Sequence, residues 1–194
     1  MHSDRLVTAY HGTDRATAER ILDGAPFHAS ANEHDWLGRG IYFWESGIDR
    51  AFRWARDHGA AEPAVVGALV QLGNCYDLMD THFTGDLANG AVAFHEQLKR
   101  TRTPPPRNRG RGKKARFLDC AVVNWWLDRL AEQGEHFHTV RRGFDEGAPI
   151  YPGMAITVES HIQIAVRNPA CIVGVFRPYL FERRARGAFG SAGL

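Results

Sequence analysis

The stretch Ile162–Phe176, IQIAVRNPACIVGVF, contains two apolar segments and decides the fold class. Ile162–Val166 and Cys171–Phe176 have the length and composition of buried strands, and Asn168-Pro169 between them predicts a hairpin-like connection. A hairpin at this end of the chain has to pair with strands from the first half to complete a sheet. Three apolar segments there are predicted strands: Arg5–Tyr10, Ile41–Trp44 and Ala64–Leu72.

Helices and loops are predicted between these strands. Helical spacing of apolar residues is found in four segments: Arg15–Asp23, Ile48–His58, Leu87–Arg100 and Phe117–Gln133. Gly143–Gly153 is predicted to be a turn-rich loop, and the tail after about residue 183 is predicted to fray. Strands at both ends with helices and an insertion between them predict a single α+β domain over residues 1–194.

Composition is typical of a globular protein without membrane segments. The chain has 194 residues, 44% of them hydrophobic and 24% charged, which suits one core of ordinary size. No apolar run approaches the roughly 20 residues of a membrane helix, and the first ten residues lack a signal-peptide block. Cys75, Cys120 and Cys171 are far apart and form no CxxC pair, which predicts buried thiols. We therefore expect a cytoplasmic protein that has no contact with a membrane and no metal site.

Positive charge is concentrated in one segment although the formal net charge is only +2. Lys99–Arg116 contains nine Lys or Arg residues and no acidic residue, and three consecutive prolines lie within it. Residues 101–116 are predicted to form a flexible basic loop, which could contact nucleic-acid phosphates or be a plain solvated insertion. Five residues are the candidate phosphate ligands: Arg107, Arg109, Arg111, Lys113 and Lys114.

Three short motifs carry chemistry. They are Tyr10-His11-Gly12-Thr13, then WLGRGIYF at Trp36–Phe43, then HIQIAVRNP at His161–Pro169. In order and spacing the chain resembles the ADP-ribosyltransferases of the poly(ADP-ribose) polymerase and diphtheria-toxin branch. The resemblance implies a split mixed β-sheet core with flanking helices and a helical insertion, and NAD+ as co-substrate.

The resemblance assigns roles to individual residues. His11 would bind a ribose or adenosine-side hydroxyl, and Gly12 would bind the nicotinamide amide through its backbone. Tyr42 would stack on the nicotinamide ring, which is an aromatic face on a flat base. The family has a second aromatic residue about ten positions later, and Phe52 and Trp54 both remain candidates. Two further residues of these motifs complete the expected NAD+ contacts: Thr13 and Gly40.

The third motif departs from the family pattern. Gln163 stands where relatives usually have Glu, and a neutral amide offers a hydrogen bond but no negative charge. Loss of that Glu goes with transfer of single ADP-ribose units in the family, and sometimes with inactivity. Glu159 and Glu146 are alternative sources of a carboxylate, with Glu159 four residues from Gln163 and thus on the same face if the strand extends that far.

The sequence thus predicts a mono-ADP-ribosyltransferase that modifies a macromolecule. The basic loop favours nucleic acid slightly over protein as the acceptor, and stand-alone bacterial relatives resemble toxins and anti-phage effectors, which would imply a neutralising partner. Two alternatives use the same cleft. One is an NAD+ glycohydrolase, and the other is a non-catalytic module that binds NAD+ or another nucleotide.

Overall fold

A computed structural model describes residues 2–110 and 114–179 of the chain. Six strands and four helices lie in this part. The strands are β1 (His2–Asp14), β2 (Ile41–Glu45), β3 (Pro63–Asp77), β4 (Thr139–Phe144), β5 (His161–Val166) and β6 (Ile172–Phe176). The helices are α1 (Arg15–Leu22), α2 (Ile48–Asp57), α3 (Thr81–Arg100) and α4 (Phe117–Glu132).

The six strands form one mixed sheet in the order β1-β2-β5-β4-β3-β6. β3 pairs with β4 in parallel, and every other pairing within this sheet is antiparallel. An additional pairing of β1 with β3 closes a circuit of five strands, and β6 extends β3 on the outside of that circuit. The mixed sheet with helices packed around it confirms the predicted α+β class.

The hydrophobic core follows the alternation of side chains along the strands. One cluster lies inside the strand circuit and includes Ala9, Phe43, Val70 and Ile164. A second cluster packs the α3–α4 insertion against the sheet around Tyr76, which is fully buried. The other face of β2 and β5 packs against this insertion at Ala165 and borders a cleft at Trp44 and Gln163.

The C-terminal strands differ from the predicted hairpin. β5 pairs with β2 and β4, whereas β6 pairs with β3, so the two strands do not pair with each other. A 3₁₀ turn at Pro169–Cys171 redirects the chain between them, and the Asn168 side chain accepts a hydrogen bond from the Ala170 amide there. Both strands do pair with first-half strands, as the sequence predicts.

β4 is the strand that the sequence pattern missed. Its sequence TVRRGF has two arginines in the middle, which hides the alternation expected of a half-buried strand. Arg141 is nevertheless only 6% exposed, because Glu45 and Asp77 neutralise it. The predicted loop Gly143–Gly153 therefore begins with the last two residues of β4.

α3 begins six residues before its predicted start at Leu87. Asp80 is the N-cap and its side chain accepts a hydrogen bond from the His82 amide, a capping signal that the sequence analysis did not use. Gly90 lies in the middle of this helix because the Trp126 indole of α4 packs against the backbone there. A Cβ at Gly90 would lie 2.5 Å from the indole, so close helix packing offsets the low helix propensity of glycine.

The three cysteines are buried and form no disulfide, as expected of buried thiols. Burial raises the pKa of the Cys75 and Cys120 thiols to about 11. Within residues 2–110 and 114–179, no helix is long and apolar enough to cross a membrane. The tail predicted to fray after residue 183 lies outside the described residues.

Candidate functional site

A cleft of about 900 Å³ opens where β1 separates from β2. These strands pair only at Ala9–Glu45 and Tyr10–Trp44, after which β1 continues alongside β3 alone. The walls come from the ends of β1 and β2, from α2, and from the segments before β2 and β5. His11, Tyr42 and Gln163 all line this cleft, although 152 positions separate the first from the last.

His11 fills the gap left by the diverging strands. Its Nδ1 lies 2.9 Å from the carbonyl oxygen of Tyr42, which lies beyond the two residue pairs that join β1 and β2, so Nδ1–H donates to this carbonyl. The ring packs against Phe27 and Phe43, with centroids 5.2 and 5.6 Å away. Burial lowers the pKa of His11 from its usual 6.5, so the ring is neutral at pH 7. The other ring nitrogen, Nε2, is then a hydrogen-bond acceptor at the cleft.

Tyr42 contributes a ring to the cleft, while its hydroxyl is committed to the protein. The hydroxyl donates to the Gly38 carbonyl at 2.6 Å and accepts from the Leu37 amide at 2.8 Å. Burial raises the pKa of this hydroxyl. These bonds fix the ring beside the segment that precedes β2, which leaves the aromatic face as the part available to a ligand.

The second aromatic residue of the cleft is Trp54. It lines the cleft, is 37% exposed, and stacks on the imidazole of His58 with centroids 4.3 Å apart. Phe52 instead packs into a small core cluster with Trp44, Ala51 and Val65, away from the cleft wall. Of the two candidates that the sequence left open, the structure thus places Trp54 on the cleft wall and Phe52 away from it.

Gln163 comes from β5, directly opposite Trp44 of β2 and on the same face of the sheet. Its side chain is buried, and its amide nitrogen Nε2 lies 3.0 Å from Nε2 of His161. Among the described residues no hydrogen bond reaches the amide oxygen of Gln163. The side chain at the third motif position is therefore a neutral amide whose nitrogen is hydrogen-bonded within the protein and whose oxygen is not.

Both candidate carboxylates also reach the cleft, and each forms an ion pair with an arginine of α2. Glu146 is 2.6 Å from Arg50, and Lys114 approaches its other oxygen at 3.6 Å. Glu159 is 3.0 Å from Arg53. The spacing of Glu159 from Gln163 suggested that both lie on one strand face. β5 begins only at His161, however, so Glu159 reaches the cleft from the preceding loop.

Gly12 and Gly40 lie where a neighbouring backbone leaves no room for a side chain. A Cβ on Gly12 would lie 2.0 Å from the carbonyl oxygen of Ala51, so α2 can cross β1 only over a glycine. Gly12 and Thr13 also line the cleft. Gly40 does not line it. Its backbone pairs with Ser30, and a Cβ there would press on Val166 of β5.

The basic segment meets the cleft at its C-terminal end. Lys114 lines the cleft, and its carbonyl accepts a hydrogen bond from the Trp36 indole at 2.7 Å. Arg109 pairs with Ala115 through two backbone hydrogen bonds, and its guanidinium lies over the Phe117 ring. Arg107 is exposed. The two remaining candidates of this segment, Arg111 and Lys113, lie outside the described residues.

Sequence reasoning missed three residues that shape the site: Trp44, Arg50 and His161. The Trp44 indole N–H and the Arg50 Nε are buried and have no hydrogen-bond partner in the described chain, and both residues line the cleft. The positions of Trp44 and His161 on the strand faces of Tyr42 and Gln163 could have identified them by alternation. No comparable signal marks Arg50.

Within the described ranges, no group of three or more His, Cys, Asp or Glu side chains is placed to hold a metal ion. A 48-residue segment of the chain is 46% identical to a protein of Methanocaldococcus jannaschii named Uncharacterized protein MJ0359. That segment is 25% of this chain and 22% of the archaeal protein, whose name assigns it no activity. No family model matches the chain, and no solved structure matches it.

Proposed function

We propose that the chain binds NAD+ in this cleft and transfers its ADP-ribose to a macromolecule. The supporting observation is the pairing of an aromatic wall with two neutral acceptors, Nε2 of His11 and the amide oxygen of Gln163. Acceptors of this kind suit the hydroxyl groups of a ribose, and Tyr42 and Trp54 suit a flat base. A volume of about 900 Å³ lies within the range of small-molecule and cofactor sites.

The reaction breaks the bond between C1′ of the nicotinamide ribose and the ring nitrogen of nicotinamide. Nicotinamide leaves with the bonding electron pair, and an acceptor oxygen or nitrogen forms the new bond to C1′ and loses a proton to solvent. The transition state has oxocarbenium character, so positioning contributes more than acid–base chemistry. In this proposal His11 and Gln163 orient the riboses, while Tyr42 holds the leaving base.

Transfer stops at one ADP-ribose unit in this proposal. Chain extension requires activation of a hydroxyl on bound ADP-ribose, and the Gln163 amide cannot act as a base at neutral pH. We further propose nucleic acid as the acceptor, because Lys114 brings the basic segment to the cleft rim. A cytoplasmic effector with a neutralising partner remains the biological setting that the sequence resemblance suggests.

The experiment is incubation with NAD+ labelled in the adenosine half and with separate RNA, DNA and protein pools. Label on RNA or DNA supports the full proposal, and label on protein alone overturns the choice of acceptor. Free labelled ADP-ribose in every pool identifies an NAD+ glycohydrolase. Mass spectrometry of a modified oligonucleotide should show one ADP-ribose per site, and a ladder of additions would contradict the single-unit reading.

A second candidate is a non-catalytic NAD+-binding module. The observation in its favour is that Glu146 and Glu159 are both ion-paired, so their charge is offset by Arg50 and Arg53. A cleft with little net negative potential gives weak stabilisation to an oxocarbenium-like sugar. This candidate predicts NAD+ binding by calorimetry together with no release of nicotinamide in any pool.

A further inference from the structure

The orientation of the Gln163 amide is fixed by its neighbour His161. Nδ1 of His161 lies 2.7 Å from the backbone carbonyl oxygen of Glu159, and a carbonyl only accepts, so Nδ1 carries the proton. A neutral imidazole has one N–H, which leaves a lone pair on Nε2. The Gln163 nitrogen, 3.0 Å from that Nε2, must therefore donate to it.

The amide of Gln163 has two ends, so fixing the nitrogen also fixes the oxygen. The nitrogen is held at His161, and in the described chain no donor reaches the oxygen. Gln163 lines the cleft from the face that it shares with Trp44. The group left for a ligand is thus a carbonyl oxygen, which accepts a hydrogen bond and cannot donate one.

We propose that His161 is a positioning residue, which holds the Gln163 carbonyl oxygen toward the cleft as the acceptor for a hydroxyl of a bound ribose. The inference rests on the proposed function, because it takes NAD+ as the ligand. It gives a role to the first residue of the third motif, to which the sequence resemblance assigned none, and a chemical reason for an amide at this place. His161 itself does not touch the ligand.

Protonation of His161 would reverse this arrangement. An imidazolium has N–H groups at both nitrogens, so Nε2 could then bond only to the oxygen of Gln163, and the amide would present its NH2 to the ligand. Several charged groups face the ring. They are Glu146 at 4.0 Å from Nδ1, Arg50 paired with it, Glu159, and the guanidinium groups of Arg116 and Arg142, which stack over the neighbouring ring of Phe144.

Burial has the largest effect and lowers the pKa of His161 from its usual 6.5, so the ring is neutral at pH 7. The sign of the pH dependence follows. NAD+ binds the neutral form, so its affinity should be constant above about pH 6.5 and should fall as the pH drops through the lowered pKa.

The test is calorimetric titration of NAD+ between pH 7.5 and pH 5 with the wild type, His161→Gln and His161→Ala. Wild-type affinity should fall about 10-fold toward acid, the size expected for one lost hydrogen bond. His161→Gln places a carbonyl oxygen near the position of Nε2, so it should keep the affinity of pH 7.5 and lack the His161 part of the acid loss. His161→Ala should bind about 10-fold more weakly at pH 7.5. His11 is present in all three proteins, so its own titration cancels in the comparison.

Identical pH profiles in the wild type and His161→Gln would overturn the proposal, as would wild-type affinity in a folded His161→Ala. Nicotinamide alone has no hydroxyl, so its affinity should lack the difference between the two profiles. If that difference appears with nicotinamide, the acceptor role toward ribose is wrong. Absence of NAD+ binding by the wild type at every pH contradicts the proposed function itself, and the inference fails with it.

Discussion

Arg141 and Gln163 are buried polar residues on neighbouring strands, each 6% exposed, and they face opposite sides of the sheet. Arg141 donates hydrogen bonds to Glu45 at 2.6 Å and to Asp77 at 3.1 Å, so two carboxylates of the chain neutralise its charge. Gln163 makes one bond, to His161, and keeps an acceptor unused. Complete partnering indicates a structural role, whereas an incompletely partnered neutral group beside a cleft is available to a ligand.

The largest expected effect is the loss of stability when Arg141 is removed. Arg141→Met leaves Glu45 and Asp77 without their shared cation. We expect a free energy of unfolding lower by about 3 kcal/mol, the lower end for breaking a buried pair, because both carboxylates keep some exposure. Urea unfolding measures this. The matched variant Gln163→Ala should cost only about 1 kcal/mol, one unmade hydrogen bond. Equal losses in the two variants would remove the distinction between the two residues.

The next effect concerns the aromatic wall. Tyr42→Ala should weaken NAD+ binding by about 5- to 150-fold, since stacking on an aromatic ring is worth about 1–3 kcal/mol. Tyr42→Phe is the control, because it keeps the ring and loses only the bonds to Leu37 and Gly38. Calorimetry should find its affinity near that of the wild type. A Tyr42→Phe variant as weak as Tyr42→Ala would show that loop order, and not stacking, sets the affinity.

A smaller effect separates Gln163 from Glu159. Gln163→Ala should lower the rate of nicotinamide release on the order of 10-fold, one hydrogen bond of about 1.4 kcal/mol. Glu159→Gln should change it little, because Glu159 is paired with Arg53 in a half-exposed bridge. Rates are read from released nicotinamide at saturating NAD+. The reverse order of the two variants would identify Glu159 as the third site residue.

The smallest effect on NAD+ affinity is expected from substitutions in the basic segment. Replacing Arg107 and Arg109, which do not line the cleft, with Gln should leave NAD+ affinity unchanged and reduce the labelling of RNA, with a shallower dependence on salt because fewer phosphate contacts release counterions. Replacing Arg15 and Arg20 of α1 with Gln is the control, since both are exposed and absent from the cleft wall. Labelling that is independent of the basic segment at every salt concentration would make the segment a plain insertion.

The sequence predicted the strands whose apolar runs are continuous, and it missed the strand whose core-facing position is charged. β2 and β5 read directly as strands, because Ile41, Phe43, Ile164 and Val166 face the core. β4 did not, because Arg141 occupies a buried position that only Glu45 and Asp77 make tolerable. Local patterns report apolar burial well. They do not report a buried charge whose partners lie 64 and 96 positions away.

The resemblance of the three motifs to a known family predicted that His11, Tyr42 and Gln163 share one site, and all three line the cleft. Tertiary structure decided the rest. It selected Trp54 over Phe52 by the direction in which α2 packs, and it paired Glu146 and Glu159 with arginines 96 and 106 positions away. It also oriented the Gln163 amide, because His161 Nε2 lies beside the amide nitrogen and leaves the amide oxygen without a partner among the described residues. Residue type fixes which hydrogen bonds are possible, and only the folded neighbours decide which are made.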